Sequence, residues 1–192
     1  DKRDSQCLEN ILTHCIENLR ENEIKLEQIA TDTGYSSGEA LRYLADHNID
    51  AFIPNFGQYV HERPGFIFNP ELNQYECQRG HRAILLFKGI KVDRDGHQRR
   101  IYRSSETNCK KCPLREQCCG KSAKFKKIDD SIHKSLYAAM HDKMQTPYAK
   151  RISRIRSKTV EPVLGTLINF LNMKRVNTRG IKQANKHVMM AA

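Results

Sequence analysis

The 192-residue sequence predicts an α/β protein, a core of alternating helices and short strands interrupted by a small antiparallel, cysteine-containing insert. Three observations lead there. Apolar residues repeat at helical spacing near both ends of the chain, short apolar runs leading to Asp32 and Pro54 interleave with the early helices, and the middle of the chain reads as hairpins. The chain divides accordingly into 1–54, the first part of the core; 55–130, the insert; and 131–192, the helical part of the core. This length is enough for one globular domain. No window approaches the ~18 apolar residues of a membrane span, and no basic-then-apolar leader opens the sequence, so no membrane partner is expected. The chain opens on Asp1 and stops at Met189-Met190-Ala191-Ala192 in the middle of a helical pattern, as a protein truncated at both ends would.

Leu8, Ile11, Leu12, Cys15, Ile16 and Leu19 form one apolar stripe, which predicts a helix over 5–21 with Ser5 as its cap. Ile24 to Ala30 reads as a strand that places Asp32 at its carboxyl end. Ser36 or Ser37 caps a second helix with Ala40, Leu41, Leu44 and Ala45 inward, and Ala51 to Pro54 is a second strand, parallel to the first. In the insert, Phe66–Phe68 and Tyr75–Cys77 make one hairpin, and Ala83–Phe87 with Gln98–Arg103, joined through Asp95-Gly96, make another. Beyond Lys127 the pattern is helical from Ile132 to Met144, breaks at Thr146-Pro147, and resumes in a last helix. Because proline is tolerated in a first turn, Pro162 sets that start near Ser157–Val160 and puts Glu161 in the first turn.

The net charge of +11 points to a polyanion, with nucleic acid as the first guess, although charge alone also serves solubility. Lys143, Lys150, Arg151, Arg154, Arg156 and Lys158 precede Val160 without an intervening acid, and Lys110 to Lys127 carries a local +6. Of seven cysteines, Cys7 and Cys15 sit in a helical apolar pattern. Cys77, Cys109, Cys112 and Cys118, with Cys119 adjacent, have a spacing that suits a tetrahedral zinc site; a disulfide pair or free thiols are the alternatives. His81 is a substitute ligand or a surface histidine. An aspartate placed like Asp32 points into the crevice where α/β sheets bind ligands, yet on spacing alone capping of the Gly34 turn explains it better.

The segment Thr31-Asp-Thr-Gly-Tyr-Ser-Ser-Gly-Glu-Ala-Leu-Arg-Tyr-Leu, followed by Ile49-Asp-Ala-Phe-Ile-Pro54, resembles the second-aspartate segment of bacterial insertion-sequence DDE transposases. Val160-Glu-Pro-Val-Leu-Gly-Thr166, with Lys174-Arg-Val-Asn-Thr-Arg-Gly-Ile181, resembles their glutamate segment, and Cys-x2-Cys-Pro-Leu resembles one branch of them. The resemblance implies a ribonuclease-H-like core in which three carboxylates hold two ions of Mg²⁺ or Mn²⁺, with Asp32 as the second acid and Glu161 as the third. The first acid belongs on a strand before the first helix. Asp1 and Asp4 precede a helix and are poor substitutes, so the chain is expected to be inactive alone.

The same resemblance implies phosphodiester hydrolysis at transposon ends and strand transfer in the complete protein, acting on double-stranded DNA as a homodimer near the bacterial nucleoid in the cytoplasm. Lys150, Arg151, Arg154, Arg156 and Lys158, with Lys174, Arg175 and Arg179, are the expected phosphate contacts. These transposases often carry a lysine about two turns beyond the glutamate. Here Leu167-Ile-Asn-Phe170 stands there, which leaves that role empty or passes it to Lys174 and Arg175. The competing readings are a zinc-stabilised DNA-binding module without catalysis and an inert remnant of a disrupted element.

Overall fold

A computed structural model describes residues 4–57, 59–60, 62–80, 82–94, 96–171, 173–175 and 178–191. Asp1, His81, Asp95, Val176 and Asn177, which entered the sequence reading, lie outside the described residues. The chain is mixed helix and sheet, with elements compatible with a partial ribonuclease-H-like core.

The core begins with α1 (Asp4–Glu21), β1 (Gln28–Ala30), a 3-10 turn (Thr33–Tyr35), α2 (Gly38–Asp46) and β2 (Asp50–Phe52). The two strands pair in parallel, Gln28 against Asp50 and Ala30 against Phe52, as expected. Leu8 and Leu12 of α1 pack with Ala40, Leu41 and Leu44 of α2 and with Ile49, Ala51 and Ile53, and Met140 closes the cluster from a later helix. Ile11 and Cys15 of α1 and Ala45 of α2 are exposed, so each helix buries a narrower stripe than its sequence suggested. The cap of α2 is Ser37, whose Oγ accepts from the Ala40 N–H at 3.0 Å.

The insert forms one sheet rather than two separate hairpins. Strands β3 (Phe66–Asn69), β4 (Gln74–Cys77), β5 (Ile84–Val92), β6 (Gln98–Ser104) and β7 (Lys127–Ser131) run antiparallel in that order. Its core is Tyr75, Leu85, Tyr102 and Ile128, with Phe66 and Phe68 beside them. β7 is a strand that the two-hairpin reading does not contain: its burial alternates, Ile128 and Asp130 in, Lys127 out, and its ladder to β6 makes it the fifth strand. Gly89 (φ 124°) accommodates a bulge that shifts the register between Phe87 and Gly89. Two short helices, α3 (Glu106–Lys110) and α4 (Arg115–Cys119), lie between β6 and β7.

The chain returns to the core through α5 (Lys134–Gln145), α6 (Pro147–Asn169) and α7 (Ile181–Ala191). Thr146 caps α6 by accepting from the Ala149 N–H at 3.2 Å, and Pro147 occupies its first turn. The last helix therefore starts ten residues before the expected Ser157, and Pro162 lies inside it. A cap followed by proline at the first position is the stronger start signal, and the missing N–H of Pro162 is tolerated on an exposed stretch. α6 is anchored near its start: Ala149 is 0% exposed, Tyr148 donates to Gln28 Oε1 at 3.1 Å and packs edge-on against Phe52. Among the described residues no helix is long and apolar enough to cross a membrane.

Candidate functional site: an acid at the strand end and a basic helical face

Asp32 lies two residues beyond the end of β1, at the strand's carboxyl end, and is exposed. Its Oδ1 accepts from the Gly34 N–H at 2.9 Å and so caps the 3-10 turn. A Cβ on Gly34 would stand 3.1 Å from Asp32 Oδ1 and 3.0 Å from Asp4 Oδ2, so the two carboxylates flank the same glycine. Sequence reasoning set Asp4 aside because it opens a helix; packing of α1 on the 3-10 turn brings it there. Burial, then the Asp4 and Asp32 charges, push the Tyr35 hydroxyl above its ordinary pKa.

Glu161 is not in a first turn, and the correction changes its surroundings. Because α6 runs unbroken from Pro147, Lys150, Arg151, Arg154, Lys158 and Glu161 fall within an arc of about 100° on a helix of 3.6 residues per turn. All five are exposed, and the four cations make no ion pair among the described residues. The Arg156 backbone lies outside that arc, and its long side chain extends round the helix so that the guanidinium reaches Glu161 Oε1 at 3.6 Å. Lys143, at the end of α5, belongs to the core instead: it pairs with Asp50, donates to the Ala51 carbonyl at 2.6 Å and sits 4.1 Å above the Phe52 ring. Lys174, Arg175 and Arg179 are exposed beyond α6. α6 meets β1 and β2 near its start, where Tyr148 bonds Gln28 and packs against Phe52.

The cysteines of the insert do gather. Cys77, Cys109, Cys112, Cys118 and Cys119 all line one cavity of about 20 Å³ between β4 and the α3–α4 segment. All stand as free thiols. Among the described residues no group of three or more His, Cys, Asp or Glu side chains is arranged to hold a metal ion.

One cluster was missed. Asp130, 6% exposed, accepts from the buried Tyr75 hydroxyl, from Lys134 at 3.1 Å and from Arg63 at 3.1 Å, and Lys134 also contacts the Tyr75 hydroxyl. Burial raises the Asp130 pKa, but the Tyr75, Lys134 and Arg63 partners outweigh it and leave the carboxyl below its ordinary value. Tyr75 moves in the opposite direction, by burial and by its bond to the carboxylate. The alternation in Lys127-Ile-Asp-Asp-Ser is the sequence signal that points to it.

Neither the curated proteins nor the solved structures provide a match to the chain. A family model described as "Transposase DDE domain" matches residues 76–192. The matched range takes in every insert cysteine, the whole of α6 and Glu161, and leaves Asp32 outside. It covers more than half of the sequence, and it agrees with the independent likeness of the segment around Glu161. The chain belongs to the transposase DDE domain family.

Proposed function

We propose that this chain works as the catalytic domain of a DNA transposase, cutting phosphodiesters at the ends of an element and joining the resulting 3′-hydroxyls to target DNA. One observation carries the reading: within the family-matched residues, Glu161 shares the exposed arc of α6 with Lys150, Arg151, Arg154 and Lys158. Four cations in one arc suit a run of phosphates. A carboxylate among them would repel those phosphates unless a divalent cation bridges the two, and that is the arrangement metal-dependent phosphoryl transfer requires.

Asp32 and Glu161 offer oxygen donors of the kind Mg²⁺ and Mn²⁺ prefer, and Asp32 is accessible at the end of its strand. The bound ions would supply activation of water or of the 3′-hydroxyl and stabilisation of the leaving oxygen. The protein's own part is positional. Tyr148 and Ala149 fix the start of α6 against β1 and β2, and the cations of the arc hold the DNA backbone in register with Glu161. The reading requires the two carboxylates to lie roughly 4–8 Å apart in the metal-loaded protein.

Mn²⁺ titration of the chain followed by paramagnetic resonance provides the test. Asp32→Asn and Glu161→Gln should each weaken Mn²⁺ binding and abolish strand cleavage in protein that carries all three carboxylates, while leaving DNA binding intact. Unchanged Mn²⁺ affinity in both variants would refute the assignment. The Arg156–Glu161 pair and the Asp32–Gly34 cap favour a second reading, a DNA-binding module in which both acids are structural. In that case the same substitutions alter stability and nothing else.

A further inference from the structure

The thiol cavity between β4 and the α3–α4 segment has no part in DNA chemistry, and its construction points to a ligand of its own. At about 20 Å³ it admits a single ion or a single water molecule and no organic ligand. Cys77, at the end of β4, comes from one side, and Cys109, Cys112, Cys118 and Cys119 come from the other. The Cys112 N–H donates to the Cys109 carbonyl at 3.2 Å and closes the C-x2-C turn. The two sides approach closely: a Cβ on Gly80, three residues after Cys77, would stand 2.5 Å from Cys112 Sγ.

Around the sulfurs the structure sets donors and positive charge. Arg79, Arg115 and Lys126 line the cavity and no acid does. Arg115 Nε is buried without a hydrogen-bond partner among the described residues. Ser104 Oγ accepts from the Lys126 N–H at 2.9 Å and lies 2.9 Å from Cys109 Sγ, where its hydroxyl can donate once that sulfur is a thiolate. Lys126 Nζ is held at the rim by the Cys118 carbonyl at 2.6 Å. Donors aimed at sulfur, together with three unopposed cations, suit thiolates rather than thiols.

We infer that Cys77, Cys109, Cys112 and Cys118 hold a structural zinc ion, with Ser104, Arg115 and Lys126 as its outer hydrogen-bonding and charge-balancing shell. Four thiolates and Zn²⁺ carry a net double negative charge, which the cations at the rim offset, and the four thiol protons leave to solvent on binding. Cys77 must turn, because its S–H now donates to the Arg79 carbonyl at 2.9 Å, and the other thiols must turn with it, since among the described residues no three are yet arranged around an ion. Cys119 is the spare thiol. Cys77, Cys112 and Cys118 also face the adjoining cavity of about 220 Å³, through which an ion can enter, whereas Cys109 and Cys119 do not; of these two, Cys109 belongs to the C-x2-C turn with Cys112. The ion would staple the β3–β4 hairpin to the α3–α4 segment.

The chain purified under reducing conditions should contain one zinc by atomic emission. Once stripped, it should take up one Co²⁺ with the charge-transfer and ligand-field bands of tetrahedral thiolate coordination. Cys112→Ser should abolish those bands and Cys119→Ser should leave them intact. Arg115→Met should weaken Co²⁺ affinity about 10- to 100-fold without changing the spectrum. Should Cys112→Ser fail to fold, the titration of the unsubstituted chain decides alone. Protein without zinc, showing no cobalt bands and with every thiol reactive in the native state, overturns the site. Loss of the bands in Cys119→Ser overturns the ligand set.

Discussion

Replacing Asp130 by alanine tests whether a single buried carboxylate ties the insert sheet to α5. Asp130 is 6% exposed, while its partners differ in their access to water. The Arg63 and Lys134 side chains are 45% and 34% exposed, so once released they are solvated again, and each pair contributes at most about 1 kcal/mol. Tyr75, 1% exposed, has no such recourse, and its hydroxyl loses its acceptor at a cost of about 1–3 kcal/mol. A total near 3 kcal/mol corresponds to a fall in Tm of about 6–12 °C for a chain of this size. The sign of the pH dependence follows from the lowered pKa. The carboxylate's contribution is complete above the ordinary value of 3.8 and is lost as pH falls through the lower value of the folded state. Thermal unfolding followed by circular dichroism should therefore separate variant from parent at neutral pH and narrow that gap as pH falls below 3.8. A variant within about 2 °C of the parent at neutral pH, or a gap that does not narrow on acidification, would refute the reasoning.

Gly38→Ala places a Cβ 2.3 Å from His133 Cδ2, where α2 meets the start of α5, and should cost about 1–3 kcal/mol in the urea midpoint despite alanine's better helix propensity. Leu44→Ala, at a position 1% exposed in the α/β core, should cost about 2–5 kcal/mol by the same measurement. Neutralising Arg151 and Arg154 together should lower the slope of log K against log salt for duplex DNA by about 2, while Asp32→Asn leaves it unchanged; an unaltered slope in the double variant would reduce the arc on α6 to a solvated surface.

The parts of the fold that were legible in the sequence are those fixed by local pattern. α1, the cap at Ser37, the parallel strand pair and the position of Asp32 follow from periodicity and capping chemistry, which neighbouring residues carry in full. The union of the two hairpins into one sheet was not legible, because the β4–β5 and β6–β7 ladders join segments whose registers are set by Tyr75, Tyr102 and Ile128 packing in three dimensions. α6 was misjudged for a different reason. Pro162 was given more weight than the Thr146-Pro147 start, although an exposed helix tolerates one missing hydrogen bond when its first turn is capped and anchored. That single error concealed the relation between Glu161 and the cations of α6, which depends on their sharing one helix. The cysteine spacing indicated a common site, and the five thiols around one cavity show that residues 77 and 109–119 do meet.

Both candidate acids already have partners, and magnitudes decide whether this bars them from binding a metal ion. The cap that Asp32 makes with Gly34 engages one oxygen and is worth about 1 kcal/mol. The Arg156–Glu161 pair spans 3.6 Å, with Glu161 61% exposed, and such pairs are worth about 0–1 kcal/mol, less in salt. Neither is strong enough to compete with a divalent cation bridging a carboxylate and a phosphate. The pair does have a thermodynamic consequence. A DNA phosphate that engages Arg156 withdraws it from Glu161 and leaves the carboxylate free for the cation, so DNA and metal must each raise the affinity for the other by the same factor. The pair's strength caps that factor at about fivefold. Mn²⁺ titrations with and without duplex DNA should show it in the parent chain. In Arg156→Ala the free chain should bind Mn²⁺ more tightly and this contribution to the coupling should vanish. Equal coupling in both proteins would mean that the ion pair is incidental and that DNA and metal communicate by another route.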